Sequence, residues 1–285
     1  MSRKILVTGS RGVIGTPLTN ELLRLGYEVI GTRRHSQSPS QSLEEMVLEP
    51  WQDEKKNHLK FDHVFHLAGK YLTKDDPNSQ QEVFDSSVGI TATISSLVSA
   101  NGAPITMLGS YFEKSPIDSG WSYYSLAKTS ARNLMIQNAL KNDSKLVYVY
   151  LYDTYSNNLT RNKFIDLVLK AAISHESLPA SPGEQALDLT HVDDVVRGLL
   201  STMDQEMSTK IGEFQIRSRE VVTLRQIVEI FESTVKKRLD MQWGALNYRS
   251  NEVFSPWECA PDLPNFSCEY NLVDFFTNFA NVNAL

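Results

Sequence analysis

Cysteine is nearly missing from this chain: among 285 residues there are only Cys259 and Cys268. They stand close together late in the sequence, could not staple so large a fold, and have no accompanying metal-ligand spacing. Free thiols in a reducing compartment are therefore expected, and no metal site is. Long apolar runs are missing too. Nowhere do about 18 uncharged apolar residues follow one another, which excludes a membrane-spanning helix. Gly9, Arg11, Gly12 and Gly15 interrupt the stretch after Arg3 and Lys4 that a signal peptide would need, so a cytoplasmic location is expected. Basic blocks are absent. The formal net charge of -6 is spread along the chain, and nothing favours a nucleic-acid backbone or an anionic membrane as partner. There is no low-complexity tract or fixed-period repeat, which argues against disorder and solenoids. What is present, 41% hydrophobic and 22% charged residues, is an ordinary globular composition, long enough for one core and an annex.

Lys4-Ile5-Leu6-Val7-Thr8 is a β-branched run ending at glycine, after which Leu18, Leu22, Leu23 and Leu25 recur at helical spacing. Glu28 to Gly31 reads as the next strand, completing a β-α-β unit. His35 to Ser42, rich in Ser and Gln, is a surface loop. Buried-type strands follow at His63 to Leu67, Ile105 to Leu108 and Leu146 to Leu151, separated by helices around Gln80 to Ala100 and Tyr123 to Leu140. This alternation predicts an α/β fold with a doubly wound parallel sheet. Beyond Asp153 the pattern loosens: a helix through Phe164 and Ala171, one from Asp194 to Met203, a strand at Glu213 to Arg217, and a helix opened by a Thr223/Gln226 capping box. The last forty residues, rich in Pro, Trp, Phe and Asn, are expected to wrap the surface. Asp194 is read as a helix cap, and His66 as a satisfied core residue.

The first turn reads Thr8-Gly9-Ser10-Arg11-Gly12-Val13-Ile14-Gly15, with three glycines between strand and helix. Gly9 permits the sharp turn, Gly12 bares backbone N–H groups to a pyrophosphate, and Gly15 lets helix and strand pack closely. The helix N-terminus supplies the positive end that binds the anion in an otherwise acidic chain. An NAD-preferring site has an acidic residue at the end of the second strand; here Arg33 and Arg34 stand there, and paired guanidiniums suit a 2′-phosphate. NADP(H) is the expected cofactor. Farther on, Tyr124 and Lys128 are four residues apart and so share one helix face. A neighbouring ammonium favours the ionised phenol and brings its pKa down from the ordinary ~10, making the pair an acid or base.

Taken together, the glycine turn, His66-Leu67-Ala68, Ser110 and Tyr124-x-x-x-Lys128 resemble the extended short-chain dehydrogenase/reductases, the NAD-dependent epimerase/dehydratase family. The resemblance continues through Gly183 to Val195 and reaches Asn247-Tyr248-Arg249. It implies a Rossmann-type sheet over residues 1–153, which carries the cofactor and the catalytic pair. Residues 154–285 would be mainly a substrate-binding annex, with some segments returning to the first core. It also implies that Ser110 holds the substrate oxygen, that Tyr124 exchanges its proton, and that Lys128 binds the nicotinamide ribose and tunes the tyrosine. Gly9, Arg11, Gly12, Val13, Ile14, Gly15, Arg33, Arg34, Leu67, Ala68 and Gly69 would line the cofactor. Arg161, Lys163 and Arg249 would meet a nucleotide diphosphate. A homodimer is implied as well. The chain departs from many relatives at Ser87, where asparagine is usual, and at Tyr150, where arginine is.

Sugar dehydratases of the family carry an Asp-Glu pair directly after the catalytic Ser or Thr, whereas Ser110 is followed by Tyr111-Phe112. That argues against dehydration. The segments Tyr152 to Tyr155, Arg161 to Lys163 and Pro182 to Gln185 are most similar to nucleotide-sugar 4-ketoreductases such as the CDP-abequose and CDP-paratose synthases. The resemblance thus implies NADPH-dependent reduction of the C4 ketone of a nucleotide-linked 4-keto-6-deoxy or 3,6-dideoxy hexose, CDP-linked, in making surface polysaccharide. The alternatives are a nucleotide-sugar 4-epimerase and a non-enzymatic NADP(H) sensor.

Overall fold

The computed structural model describes residues 2–53, 59–70, 77–115, 122–204, 206, 209–249 and 252–283. In chain order the elements are β1 (Lys4–Thr8), α1 (Gly15–Arg24), β2 (Glu28–Arg33), β3 (Glu44–Val47), β4 (His63–His66), α2 (Pro77–Phe84), α3 (Ile90–Asn101), β5 (Ile105–Ser110), α4 (Tyr123–Lys141) and β6 (Leu146–Leu151). There follow β7 (Asp153–Tyr155), α5 (Phe164–Ser174), β8 (Leu178–Ala180), β9 (Ala186–His191), α6 (Val192–Ser201), β10 (Ile211–Ile216), β11 (Val221–Thr223), α7 (Leu224–Val235), β12 (Met241–Trp243) and α8 (Leu272–Asn283). They divide into two compact units. One comprises Met1–Leu151, Val196–Gln215 and Cys259–Leu263; the other comprises Tyr152–Val195, Ile216–Glu258 and Pro264–Leu285.

The first unit is built on a seven-stranded sheet in the order β10-β6-β5-β4-β1-β2-β3. The pairs β1–β2, β1–β4, β2–β3, β4–β5 and β5–β6 are all parallel, as the alternating pattern requires. Ile5, Leu6 and Val7 are wholly buried, and so are Leu18 and Leu22, the helical i, i+4 pair that seats α1 on the sheet. Strand order reverses between β1 and β4, and ligands of such sheets lie beyond the carboxyl ends of the strands at that point. Two details were not anticipated. Glu44–Val47 forms an edge strand on β2, too acidic to read as β in the sequence but suited to an exposed edge. The expected helix over residues 80–100 is two helices joined by a π-helical turn at Asp85–Gly89.

The second unit holds a three-stranded sheet, β11-β9-β7, and a two-stranded one, β12-β8. Its core gathers Val168 and Leu169 of α5, Ile227 and Phe231 of α7, and Leu272, Phe275, Phe276 and Phe279 of α8. The Thr223/Gln226 capping box is present at the start of α7. Two expectations are corrected here. The end of the chain does not merely wrap the surface, because apolar residues at 272, 275, 276 and 279 make one face of α8 a core face. Asp194 lies inside the first turn of α6, fully buried, and its carboxylate accepts the backbone N–H groups of Glu269 (3.0 Å) and Tyr270 (3.0 Å). It ties down the approach to α8. Cys259 and Cys268 are free thiols, and no described helix is long and apolar enough to cross a membrane.

Candidate active site

The glycine turn between β1 and α1 is closed by Gly12 N–H donating to the Gly9 carbonyl (2.9 Å). A Cβ on Gly15 would stand 2.0 Å from the Gly9 carbonyl oxygen, so helix and turn can meet only through glycine. At Ile14, the cap position of α1, no side chain satisfies the helix N–H groups, and the first turn carries no acidic residue. Thr16 N–H donates to the Gly12 carbonyl (2.9 Å) and Pro17 has no N–H, so it is the positive end of the helix that fits a dinucleotide pyrophosphate. Val13 and Ile14 are half-buried beside them.

Arg11, expected to reach the cofactor, is paired with Glu45 of β3: its Nε donates at 2.7 Å, and it also donates to the Ser38 carbonyl (2.7 Å). The Glu45 carboxyl is held below the usual carboxylate range, chiefly by this hydrogen bond. Arg33 turns to its own loop, donating to the Gln37 carbonyl at 3.0 Å, while the Arg34 backbone N–H donates to the Gln37 side chain. The loop from Arg34 to Glu45 is thus clipped onto the glycine turn. Glu45, distant in sequence, carried no signal that it belonged here.

At the end of β4 a directional chain of hydrogen bonds passes through His66. The Thr8 hydroxyl oxygen accepts the N–H groups of Leu67 and Ala68, both at 3.1 Å, and is left to donate its own hydrogen to His66 Nδ1 at 2.8 Å. His66 Nε2 then donates to Thr91 (2.9 Å), whose hydroxyl donates to the Ser87 carbonyl (2.6 Å). With both ring nitrogens used and the ring buried, His66 is neutral, its pKa pushed from the usual 6.5 to about 3 by burial and then by Lys128. This is the satisfied core histidine expected, and it links the strand that begins the glycine turn to Leu67-Ala68-Gly69 and the π-helical turn. Within that turn Ser87 is buried, and among the described residues its Oγ has no hydrogen-bond partner.

Ser110, Tyr124 and Lys128, the residues expected to react, lie at the end of β5 and in the first turns of α4. Ser110 is the last residue of β5 and 8% exposed. Ser122 caps α4 by accepting the Ser125 N–H (3.1 Å), so Tyr124 lies in the first turn, partly exposed, and Lys128 lies one turn later. Lys128 is 6% exposed, and its Nζ donates to the Leu108 carbonyl (3.1 Å). The same Nζ lies 2.9 Å from where a Cβ on Gly69 would stand, which places the ammonium against the end of β4. Burial holds Lys128 below the ordinary lysine value, and a carboxylate opposes that shift: Glu113. Motif reading missed Glu113. It is 3% exposed and accepts the Ser110 N–H (2.7 Å) and the Tyr148 hydroxyl (2.7 Å). Its spacing, Ser110-x-x-Glu113, is that of a capping box, and that signal could have found it.

The residues expected to meet a diphosphate belong to the second unit. Arg161 is half-buried and donates to the Thr154 hydroxyl (2.7 Å) and carbonyl (2.9 Å). Lys163, at the cap of α5, pairs with Asp153 at 2.9 Å. Arg249 is exposed. Also in this unit, and not singled out in the sequence, Arg217 pairs with the fully buried Asp188 (2.6 Å) and stacks on Tyr152 at 4.7 Å. At Tyr150, where the resemblance leads one to expect arginine, Arg132 supplies a guanidinium: it donates to the Tyr150 hydroxyl, which donates to Glu213 (2.6 Å).

Residues 5–216 match the NAD dependent epimerase/dehydratase family. CDP-abequose synthase of Yersinia pseudotuberculosis is 27% identical over 273 residues, covering 89% of this chain and 91% of that protein. Among solved structures, MoeE5 in complex with UDP-glucuronic acid and NAD superposes with a TM-score of 0.81 at 22% identity, covering 99% of this chain and 100% of that one. UDP-glucuronic acid 4-epimerase from Bacillus cereus, in complex with UDP-glucuronic acid and NAD, gives 0.83 at 20% identity, covering 99% of both chains. These two likenesses are of fold.

Proposed function

The chain belongs to the NAD dependent epimerase/dehydratase family, and from that premise we propose that this enzyme reduces the C4 ketone of a nucleotide-linked 4-keto-6-deoxy or 3,6-dideoxy hexose, CDP-linked, with NADPH. The observation that carries the choice is the similarity, over most of both chains, to a CDP-abequose synthase. The absence of an acid pair after Ser110 supports it. Tyr111 and Phe112 occupy those positions with their rings 4.3 Å apart, and the next carboxylate, Glu113, is engaged by Ser110 and Tyr148. A surface-polysaccharide role and a homodimer belong to the same reading.

The proposed division of labour follows from the site. The nicotinamide, when bound, supplies the hydride that reduces the carbonyl carbon. The Ser110 hydroxyl donates a hydrogen bond to the carbonyl oxygen and fixes its direction. Tyr124 delivers its proton to that oxygen as negative charge builds there, and the Lys128 ammonium stabilises the phenolate left behind. Thr8, through the Leu67 and Ala68 amides, holds the end of β4 on which Lys128 rests. Arg249, with Arg161 and Lys163, supplies positive charge for the substrate diphosphate. Arg33 and Arg34, at the end of β2, take the 2′-phosphate.

A second reading, 4-epimerisation with a retained NAD, is favoured by Glu45, a carboxylate beside the glycine turn where the first reading needs cations. One assay separates the two. Purified protein is incubated with NADPH or NADH and CDP-, dTDP-, GDP- and UDP-linked 4-keto-6-deoxy sugars, with absorbance and product configuration followed. Stoichiometric NADPH loss supports the reductase; isomerisation without net cofactor consumption supports the epimerase; binding without turnover means a sensor.

A further inference from the structure

We propose that Glu113 is a positioning residue for the Ser110–Tyr124–Lys128 site: its buried carboxylate clamps the Ser110 backbone and supplies the negative charge that keeps the proton on the Tyr124–Lys128 pair. This rests on the catalytic reading above, and it assigns work to a group that reading does not use.

The geometry is specific. Glu113 is the third residue of the short turn Tyr111–Lys114 and folds back on the strand it follows. One carboxylate oxygen takes both the Ser110 N–H and the Tyr148 hydroxyl; the other lies 2.9 Å from the same hydroxyl. The Ser110 hydroxyl oxygen in turn accepts the Phe112 N–H (3.4 Å), closing a reciprocal box that fixes the serine at the strand end. The space exists because residue 109 is glycine. A Cβ there would lie 2.3 Å from the Tyr148 ring and 2.5 Å from the Glu113 carboxylate. An acid this deeply buried is costly unless its surroundings need it.

Its surroundings are cationic. Burial raises the Glu113 carboxyl above its ordinary value, and the Ser110 N–H, the Tyr148 hydroxyl, Lys128 and Arg132 each pull it back towards the ionised form. Among the described residues the other titratable neighbours are His66 on β4, neutral; Tyr148 and Tyr150 on β6, both phenols held above their ordinary value; and Glu213, paired with Arg132 at 3.2 Å and Lys114 at 3.7 Å. Among these residues Glu113 is the carboxylate that opposes the effect of burial on Lys128. Without Glu113 the site would gain one positive charge, and the Tyr124–Lys128 pair would release its proton at lower pH whichever member carries it.

Two measurements test this. In Glu113→Gln, which keeps the shape and an acceptor but removes the charge, the alkaline limb of the kcat profile for ketone reduction should move to lower pH by about one unit. A capping box alone would lower Tm and leave the limb where it is, and that result overturns the proposal. The second needs neither substrate nor turnover, and therefore stands even if the assigned reaction is wrong. Infrared titration of the carboxyl C=O band that differs between wild type and Lys128→Met should show Glu113 taking up its proton about one pH unit higher in the variant. Coupling is reciprocal, so the two shifts should agree in size. Identical carboxyl titrations in the two proteins overturn the proposal, including where Glu113→Gln does not fold.

Discussion

In the proposed reaction the most decisive single atom is the Tyr124 hydroxyl. Tyr124→Phe should lower kcat for ketone reduction about 10²- to 10⁴-fold while nicotinamide fluorescence still reports cofactor binding, since general-acid catalysis is lost and the glycine turn is untouched. That tyrosine, its lysine partner and the glycines were legible in sequence because each spacing has one geometric meaning: four residues on a helix, or three glycines between strand and helix. Glu45 was not, because it acts from a strand beyond a long loop, and of Glu113 only the capping-box spacing to Ser110 was legible, not its bond to Tyr148 on a distant strand. His63 and His66 give a prediction of opposite character. Both are buried and neutral, with burial lowering their pKa from the usual 6.5 to about 3. The unfolded chain therefore binds more protons than the native one in that window. Their contribution is complete above about pH 6.5 and is lost as pH falls towards 3, costing about 2 kcal/mol for each histidine by pH 5. Urea midpoints measured between pH 7 and 5 check this. His66→Gln should be less stable at pH 7 and show a shallower dependence.

Among the elements, α8 gives the cleanest stability test. Phe276 is fully buried, with its ring edge-on to Phe231 of α7 at 5.2 Å. Phe276→Ala should cost about 3–5 kcal/mol, read from chemical denaturation. The sequence carries this helix openly, since 272, 275, 276 and 279 are i, i+3, i+4 and i+7; the surrounding Pro, Trp and Asn made the segment look irregular. The central strands were easier to read because parallel strands buried on both faces are nearly continuous apolar runs. The edge strand β3 and the π-helical turn were not legible. One is paired on a single side and so can be acidic, and the other differs from an α-helix only by where its hydrogen bonds fall.

For the molecule as a whole, the strand order matters more than the domain boundary. The first unit draws on Met1–Leu151 but also on Val196–Gln215 and Cys259–Leu263. β10 lies beside β6, and its Glu213 accepts the Tyr150 hydroxyl. Which late segments return is hard to read from sequence, because the pairing is non-local and each piece is short. A chain ending at Asp153 should therefore fail as an independent domain. It bares the edge of β6 and should aggregate in light scattering and lack near-ultraviolet circular dichroism, although it holds the whole glycine turn and the Tyr-Lys pair. In the cell the same topology sets a schedule. A ribosome releases the first six strands of the sheet long before the seventh is translated, and the short piece at Cys259–Leu263 comes later still. The nascent chain therefore carries an unsealed sheet margin for much of its synthesis, the kind of exposed edge that invites aggregation before the chain is complete.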